Sequence, residues 1–134
     1  MTYTIRIPVR YADMDALTHV NNAVYHTYLE EARIGLMSSL GVFRDPASAG
    51  IGWILARTEI DFRVPAVYGD TLNVEVSAGE MRNSSFDMRF RITRQRDGMV
   101  MVDARSVQVC LDYSVHKPVR IPDEWRAKLG GSST

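Results

Sequence analysis

Two aspartates, Asp13 and Asp15, open the stretch DMDALTHVNN, which also carries His19, Asn21 and Asn22. The acids share parity, so an extended segment turns both to one side. A carboxylate held beside a carbonyl can attack it or deprotonate a water. The same residue types also brace loops and cap helices, and without further signals that is the simpler role for either acid. Asn21 or Asn22 suits the cap of a following helix, where a side-chain oxygen accepts an orphaned backbone N–H. His19 is close enough to touch a substrate, with bracing of the loop its more economical role.

Other chemistries fit poorly. Read as a calcium loop from Asp13, the fifth, sixth and twelfth positions are Leu17, Thr18 and Val24, where an oxygen ligand, glycine and glutamate are needed. The histidines have no zinc spacing, so no metal is expected. Neither GxxxxGK[ST] nor GxSxG occurs, which removes the phosphate-cradling loop and the serine elbow. The single cysteine, Cys110 in VQVCLDY, permits no internal disulfide and reads as a buried structural thiol. Sixteen basic and sixteen acidic residues give a formal net charge of zero, so no global field draws nucleic acid or an anionic membrane. No apolar run approaches the ~20 residues of a membrane span, and the N-terminus does not read as a secretory signal. The expectation is a cytoplasmic domain spanning residues 1–134, with 129–134 a loose tail.

The elements that must position the acids follow from periodicity. YTIRIPVRY reads as a first strand with Pro8 at a sheet edge. From Asn22, apolar residues Tyr25, Tyr28, Leu29, Ala32, Leu36 and Leu40 recur every three or four positions, predicting a helix of about 18 residues closed by Gly41. His26, Glu30 and Arg33 occupy another side, with Glu30 and Arg33 spaced to pair. Gly35 within this helix implies close approach of a neighbouring backbone. After residue 50 the pattern alternates. Ile54, Ala56, Thr58, Ile60 and Phe62 form one inward set; Leu72, Val74, Val76 and Ala78 a second; Phe86, Met88, Phe90 and Ile92 a third. In the last run Val100, Val102 and Ala104 change phase to Val107, Val109 and Leu111, predicting a bulge near Arg105 or Ser106. Asp97-Gly98 marks a hairpin, RNSS at 82–85 a longer turn, and RIPDEWRAKL a short closing helix. The prediction is an α+β fold: a curved antiparallel sheet of about five strands around one long helix.

RYADMDALTHVNNAVYHTYLEEAR closely resembles the N-terminal signature of hotdog-fold acyl-CoA thioesterases of the 4-hydroxybenzoyl-CoA thioesterase type. The resemblance continues through IDFRVPAVYGDTLNVEV and covers residues 3 to about 125. It implies the hotdog fold, assembly into a homodimer or homotetramer with sites at subunit interfaces, and hydrolysis of an acyl-CoA, with coenzyme A as part of the substrate and no other cofactor. By position, Asp15 is similar to the catalytic carboxylate, as nucleophile or general base. The backbone around Asn22 is similar to the oxyanion site, with Asn21 and His19 bracing it. Tyr25 is a substrate-side residue. Arg82, Asn83 and Ser84 fall where relatives hold the coenzyme A phosphates, a solvated hairpin being the alternative. Thr18 departs from the pattern, since relatives often carry glycine there. A carrier-protein thioester, a hotdog dehydratase or hydratase, and a non-catalytic acyl-thioester binder remain the alternatives, and the acyl group is open.

Overall fold

The computed structural model describes residues 2–43 and 50–130. Strand β1 (Thr2–Pro8) leads through a single 3-10 turn (Tyr11–Asp13) to helix α1 (Asn22–Leu40). Strands β2 (Ile51–Phe62), β3 (Thr71–Met81), β4 (Ser85–Arg94) and β5 (Val100–Asp112) follow, then a two-residue strand β6 (Lys117–Pro118) and helix α2 (Asp123–Gly130). Every pairing is antiparallel. The order is β1-β3-β4-β5-β2, with β6 beside β5. Pro8 thus sits on an edge strand, where its missing N–H costs no ladder bond. The sheet has six strands rather than five, because β6 continues the pairing of β5 at Leu111 and Asp112 beyond the end of β4.

Helix α1 begins and ends where its local signals place it. The Asn21 side chain accepts from the Ala23 N–H at 2.8 Å. Gly41 adopts φ 70° and ψ 28°, and its N–H reaches the Met37 and Ser38 carbonyls. That left-handed turn lets Val42 pack back, fully buried. Tyr25, Tyr28, Leu29, Ala32, Leu36 and Met37 are the buried helix face. They join Leu72, Val74 and Val76 of β3 and Phe86, Met88 and Ile92 of β4 in one core. Gly35 does admit a close neighbour, but it is a side chain: a Cβ there would lie 2.6 Å from the Tyr3 ring.

Two strands differ from their expected facing. In β2 the register slips between Leu55 and Arg57, leaving Ala56 as the extra residue. Thr58, Ile60 and Phe62 keep the expected side, but before the bulge it is Trp53 that turns inward, not Ile54, which is 41% exposed. Trp53 packs on Phe86 and stacks on Trp125 of α2, at ring separations of 5.1 and 5.5 Å. In β5 the irregularity falls at Met101, between the Ile92–Val102 and Thr93–Val100 pairs, and not near Arg105. The inward parity therefore continues through Ser106, Gln108 and Cys110, all buried. Gln108 satisfies part of this polar burial by donating to the Ser106 hydroxyl at 3.2 Å. Cys110 is the expected structural thiol, its pKa pushed up to about 11 by burial. Leu129, expected in a loose tail, is instead a buried residue of α2; residues 131–134 lie outside the described residues.

Candidate active site

The segment between the 3-10 turn and α1 is a small hairpin pinned at its base. Met14 and Val20 form an antiparallel bridge. The Asp15 N–H donates to the His19 carbonyl at 2.9 Å, and the Thr18 N–H to the Asp15 carbonyl at 3.0 Å. Such a loop needs one residue in the left-handed region, a position that favours glycine. Here it is Thr18, at φ 65°. The threonine keeps a turn conformation that favours glycine, at a conformational cost. The Val20 N–H donates to the Ala66 carbonyl at 2.9 Å, and the Ala66 N–H donates to the Tyr25 hydroxyl at 3.0 Å. These bonds tie the hairpin, the first turn of α1 and the loop after β2 into one unit.

Asp13 and Asp15 divide cleanly. Asp13 is 2% exposed. One carboxylate oxygen accepts from the Arg10 side chain at 2.8 Å; the other accepts from the Arg10 N–H at 2.9 Å and the Tyr28 hydroxyl at 2.7 Å. Burial pushes this carboxyl up, but the bonds from Arg10 and Tyr28 outweigh it and hold it below the ordinary carboxylate range. The same contact and burial push the Tyr28 hydroxyl up, burial being the larger cause. Asp13 also accepts the Asn21 N–H on its backbone carbonyl at 2.9 Å. It is a clamp between the hairpin and the helix start. Asp15, by contrast, is only half-buried. Its Oδ1 accepts from the Leu17 N–H at 2.9 Å, which orients the group, and its Oδ2 has no protein partner among the described residues.

Asp15, His19, Asn21, Asn22 and Tyr25 line one open cavity of about 370 Å³, with Leu17 and Val20 beside them and Phe62 and Val64 opposite. At the helix start the Ala23 N–H is taken by the Asn21 side chain and the Val24 N–H by the Asn21 carbonyl. The Asn22 N–H has no protein partner among the described residues. A helix N-terminus carries partial positive charge as well as free donors, so this end of the cavity suits an oxygen that gains negative charge. His19 is exposed and contributes its carbonyl to the hairpin. Tyr25 is buried against Phe62 and Tyr28 at ring separations of 5.3 and 5.9 Å. Burial raises its pKa, which keeps it a neutral donor.

Arg82, Asn83 and Ser84 do not line this cavity. Arg82 bonds Asp87 at 2.6 Å and the Ser85 hydroxyl at 2.9 Å. The Asn83 carbonyl accepts the Ile121 N–H, and the Ser84 carbonyl the Cys110 N–H, at 2.9 and 2.7 Å. The turn is thus bound to β5 and to the segment between β6 and α2 of its own chain. Conversely, Phe62, Arg63, Val64 and Pro65 line the cavity without a chemical signature in sequence; only the inward parity of Phe62 pointed there. Among the described residues no cluster of three or more histidine, cysteine or acidic groups could hold a metal.

The family model of the thioesterase-like superfamily matches residues 9–129. The chain belongs to that superfamily, and its α+β architecture is the hotdog fold of its structural neighbours. Over 124 residues it is 32% identical to the long-chain acyl-CoA thioesterase FadM of Escherichia coli, covering 92% of this chain and 94% of that one. A putative thioesterase of Pseudomonas aeruginosa superposes with a TM-score of 0.83 at 31% identity, covering 92% and 95% of the two chains. A Thermus thermophilus thioesterase, solved in complex with coenzyme A and Zn, superposes with a TM-score of 0.81 at 29% identity, covering 96% and 91%.

Proposed function

We propose that this protein hydrolyses an acyl-CoA thioester to the free acid and coenzyme A. One observation carries the reading: the Asp15 Oδ2 and the Asn22 N–H, both without a protein partner among the described residues, belong to residues lining the same cavity. A thioester carbonyl set against the helix start directs its oxygen at the Asn22 N–H. Charge developing on that oxygen is then stabilised by a donor already in place. Asp15 supplies the attack by one of two routes. It adds to the carbonyl itself, giving an anhydride that water opens, or it takes a proton from a water that adds. In either route the C–S bond breaks, the thiolate leaves and is protonated, and water's oxygen ends in the acid. Asn21 and His19 hold the donor and the acid in position through the hairpin, and Tyr25 forms the cavity wall.

Relatives named for acyl-CoA hydrolysis and a neighbour holding coenzyme A support this substrate class. Coenzyme A enters only as part of the substrate, with no other cofactor required by the chemistry. Strand β2 is a sheet edge of twelve residues, and we assign it to pairing with a second copy in a homodimer, with a tetramer as the next level. In such an assembly the Arg82–Ser84 turn would meet the phosphates from across the interface, since it does not line the cavity of its own chain. No helix among the described residues is long and apolar enough to cross a membrane, and we place the reaction in the cytoplasm. The test is thiol release from short, long and aromatic acyl-CoAs. Release from any of them supports the reading. Silence across the panel, with the same acyl groups cleaved from a carrier protein, would replace coenzyme A as the carrier, and silence on both would leave a binder.

A further inference from the structure

Between α1 and the β2–β5 side of the sheet lies a second, smaller cavity of about 70 Å³, lined by His26, Leu29, Glu30, Arg33, Leu55, Thr58, Phe90 and Ser106. It lies further along the same two elements that line the first cavity. On α1 the lining passes from Asn22 and Tyr25 to His26, Leu29 and Arg33; on β2 it passes from Phe62 to Thr58 and Leu55. Successive residues of the same two elements thus line the two cavities, so a chain that leaves the first along α1 and β2 runs toward the second. This far part lies roughly 6–16 Å along the helix from the Asn22 N–H, at 1.5 Å per helical residue.

The floor of the far part has unexpected chemistry for the inner face of a sheet. Thr58 and Ser106 are direct cross-strand partners, and Gln108 follows Ser106 on the same face. Ser106 and Gln108 are 4% and 1% exposed. Burying hydroxyls and amides without full use of their hydrogen-bonding capacity is costly, and aliphatic residues would pack here at no such cost. Ser106 accepts from Gln108 at 3.2 Å, which leaves its own proton free to donate. The Thr58 hydroxyl has no partner among the described residues. The walls are mixed: Leu29, Leu55 and Phe90 are apolar, and His26, Glu30 and Arg33 of α1 add polar and charged groups that a plain hydrocarbon tip would also leave unmatched. At about 70 Å³ against about 370 Å³ for the first cavity, it has room for the tip of a chain and not for a long tail.

The geometry points to Thr58 and Ser106 as specificity-determining residues for an acyl group with an apolar body and a hydroxyl or keto oxygen near its far end. This rests on the hydrolase reading above, which sets the carbonyl at Asn22. A plain chain entering the slot would leave two hydroxyls facing methyl groups; an oxygenated tip pairs with them. One well-made hydrogen bond of this kind corresponds to about tenfold in selectivity.

The experiment compares kcat/KM for decanoyl-CoA and 10-hydroxydecanoyl-CoA in the full-length protein, in wild type, Thr58→Val and Ser106→Ala. The expected result is about a tenfold preference for the hydroxylated chain in wild type, cut severalfold in Thr58→Val, which keeps side-chain shape and removes only the hydroxyl. Hydrolysis of both substrates at equal efficiency, or a preference unmoved by both variants, overturns the inference and leaves the hydrolase reading standing. If neither is hydrolysed, the hydrolase reading fails for this chain length. Calorimetric titration with decanoate and 10-hydroxydecanoate then decides the slot by itself: tighter binding of the hydroxy acid, lost in Thr58→Val, upholds it, and equal binding overturns it.

Discussion

Replacing each of the two neighbouring aspartates by asparagine should produce opposite phenotypes. In Asp13→Asn one of two acceptor oxygens becomes an NH2 facing donors. Whichever way the amide turns, it sets this NH2 against the Arg10 side chain or against the Arg10 N–H and the Tyr28 hydroxyl. Tyr28 is 3% exposed, so a lost partner there costs about 1–3 kcal/mol. The Arg10 side chain is 75% exposed, so solvent screens its ion pair and it adds little. The loss is therefore about 1–3 kcal/mol, a sizeable part of the ~5–15 kcal/mol expected for a domain. At roughly 3–5 °C per kcal/mol, the melting temperature falls by about 3–15 °C. Asp15→Asn keeps the Oδ1 acceptor for the Leu17 N–H at an accessible site, so its stability should stay within about 0.5 kcal/mol of wild type. Thermal melts followed by circular dichroism, with thiol release measured on the same samples, read both quantities. An Asp13→Asn protein that melts with wild type, or an Asp15→Asn protein that loses as much stability as Asp13→Asn, would refute the division of roles.

Thr18→Gly removes a left-handed penalty of about 1–2 kcal/mol and adds chain entropy worth about 0.5–1 kcal/mol to the unfolded state. The net is a modest gain, seen as a melting temperature a few degrees higher with turnover little changed; a lower melting temperature would contradict the strained turn. Gly35→Ala sets a methyl 2.6 Å from the Tyr3 ring and should cost about 1–3 kcal/mol, most of it recovered when Tyr3 is also truncated to alanine. A double-mutant cycle in urea measures that coupling, and additive losses would place the clash elsewhere. Asp87 is held below the ordinary carboxylate range by hydrogen bonds from Arg82 and then Arg105, against burial. A depressed folded-state pKa contributes stability that is complete above the unfolded value of about 3.9 and is lost as pH falls through the folded value. Asp13 has the same sign. Urea midpoints should therefore be level from about pH 7 to 5 and drop below about pH 4, the drop being shallower in Asp87→Asn.

What could be read from the chain alone follows the range of the interactions involved. The bounds of α1 were legible because Asn21 and Gly41 act on backbone groups within a turn of themselves. The inward sets of β3 and β4 were legible because alternation runs unbroken through both. In β2 and β5 the same rule failed. Ala56 is an extra residue whose presence depends on the partner strand, and Ser106 and Gln108 are polar residues on a buried face. A pattern of apolar residues cannot show either, so Val107 and Val109 were assigned the inward side that Ser106 and Gln108 hold. Asp15, Asn21 and Asn22 could be grouped because they are close in sequence. Phe62 and Val64 reach the cavity only through the fold. Arg82 was noticed for its charge, and its commitment to Asp87 could not be read without knowing which face of β4 that acid occupies.

The central claim is that Asp15 attacks, or activates the water that attacks, a thioester carbonyl set against the Asn22 N–H. The most direct measurement is kcat for Asp15→Asn beside wild type, on the best acyl-CoA of the panel, at matched folded fraction. The account predicts an intact fold and a loss of at least about a hundredfold, the scale of a removed base or nucleophile. A variant that turns over within a few-fold of wild type would contradict it and return Asp15 to the hairpin as a turn residue.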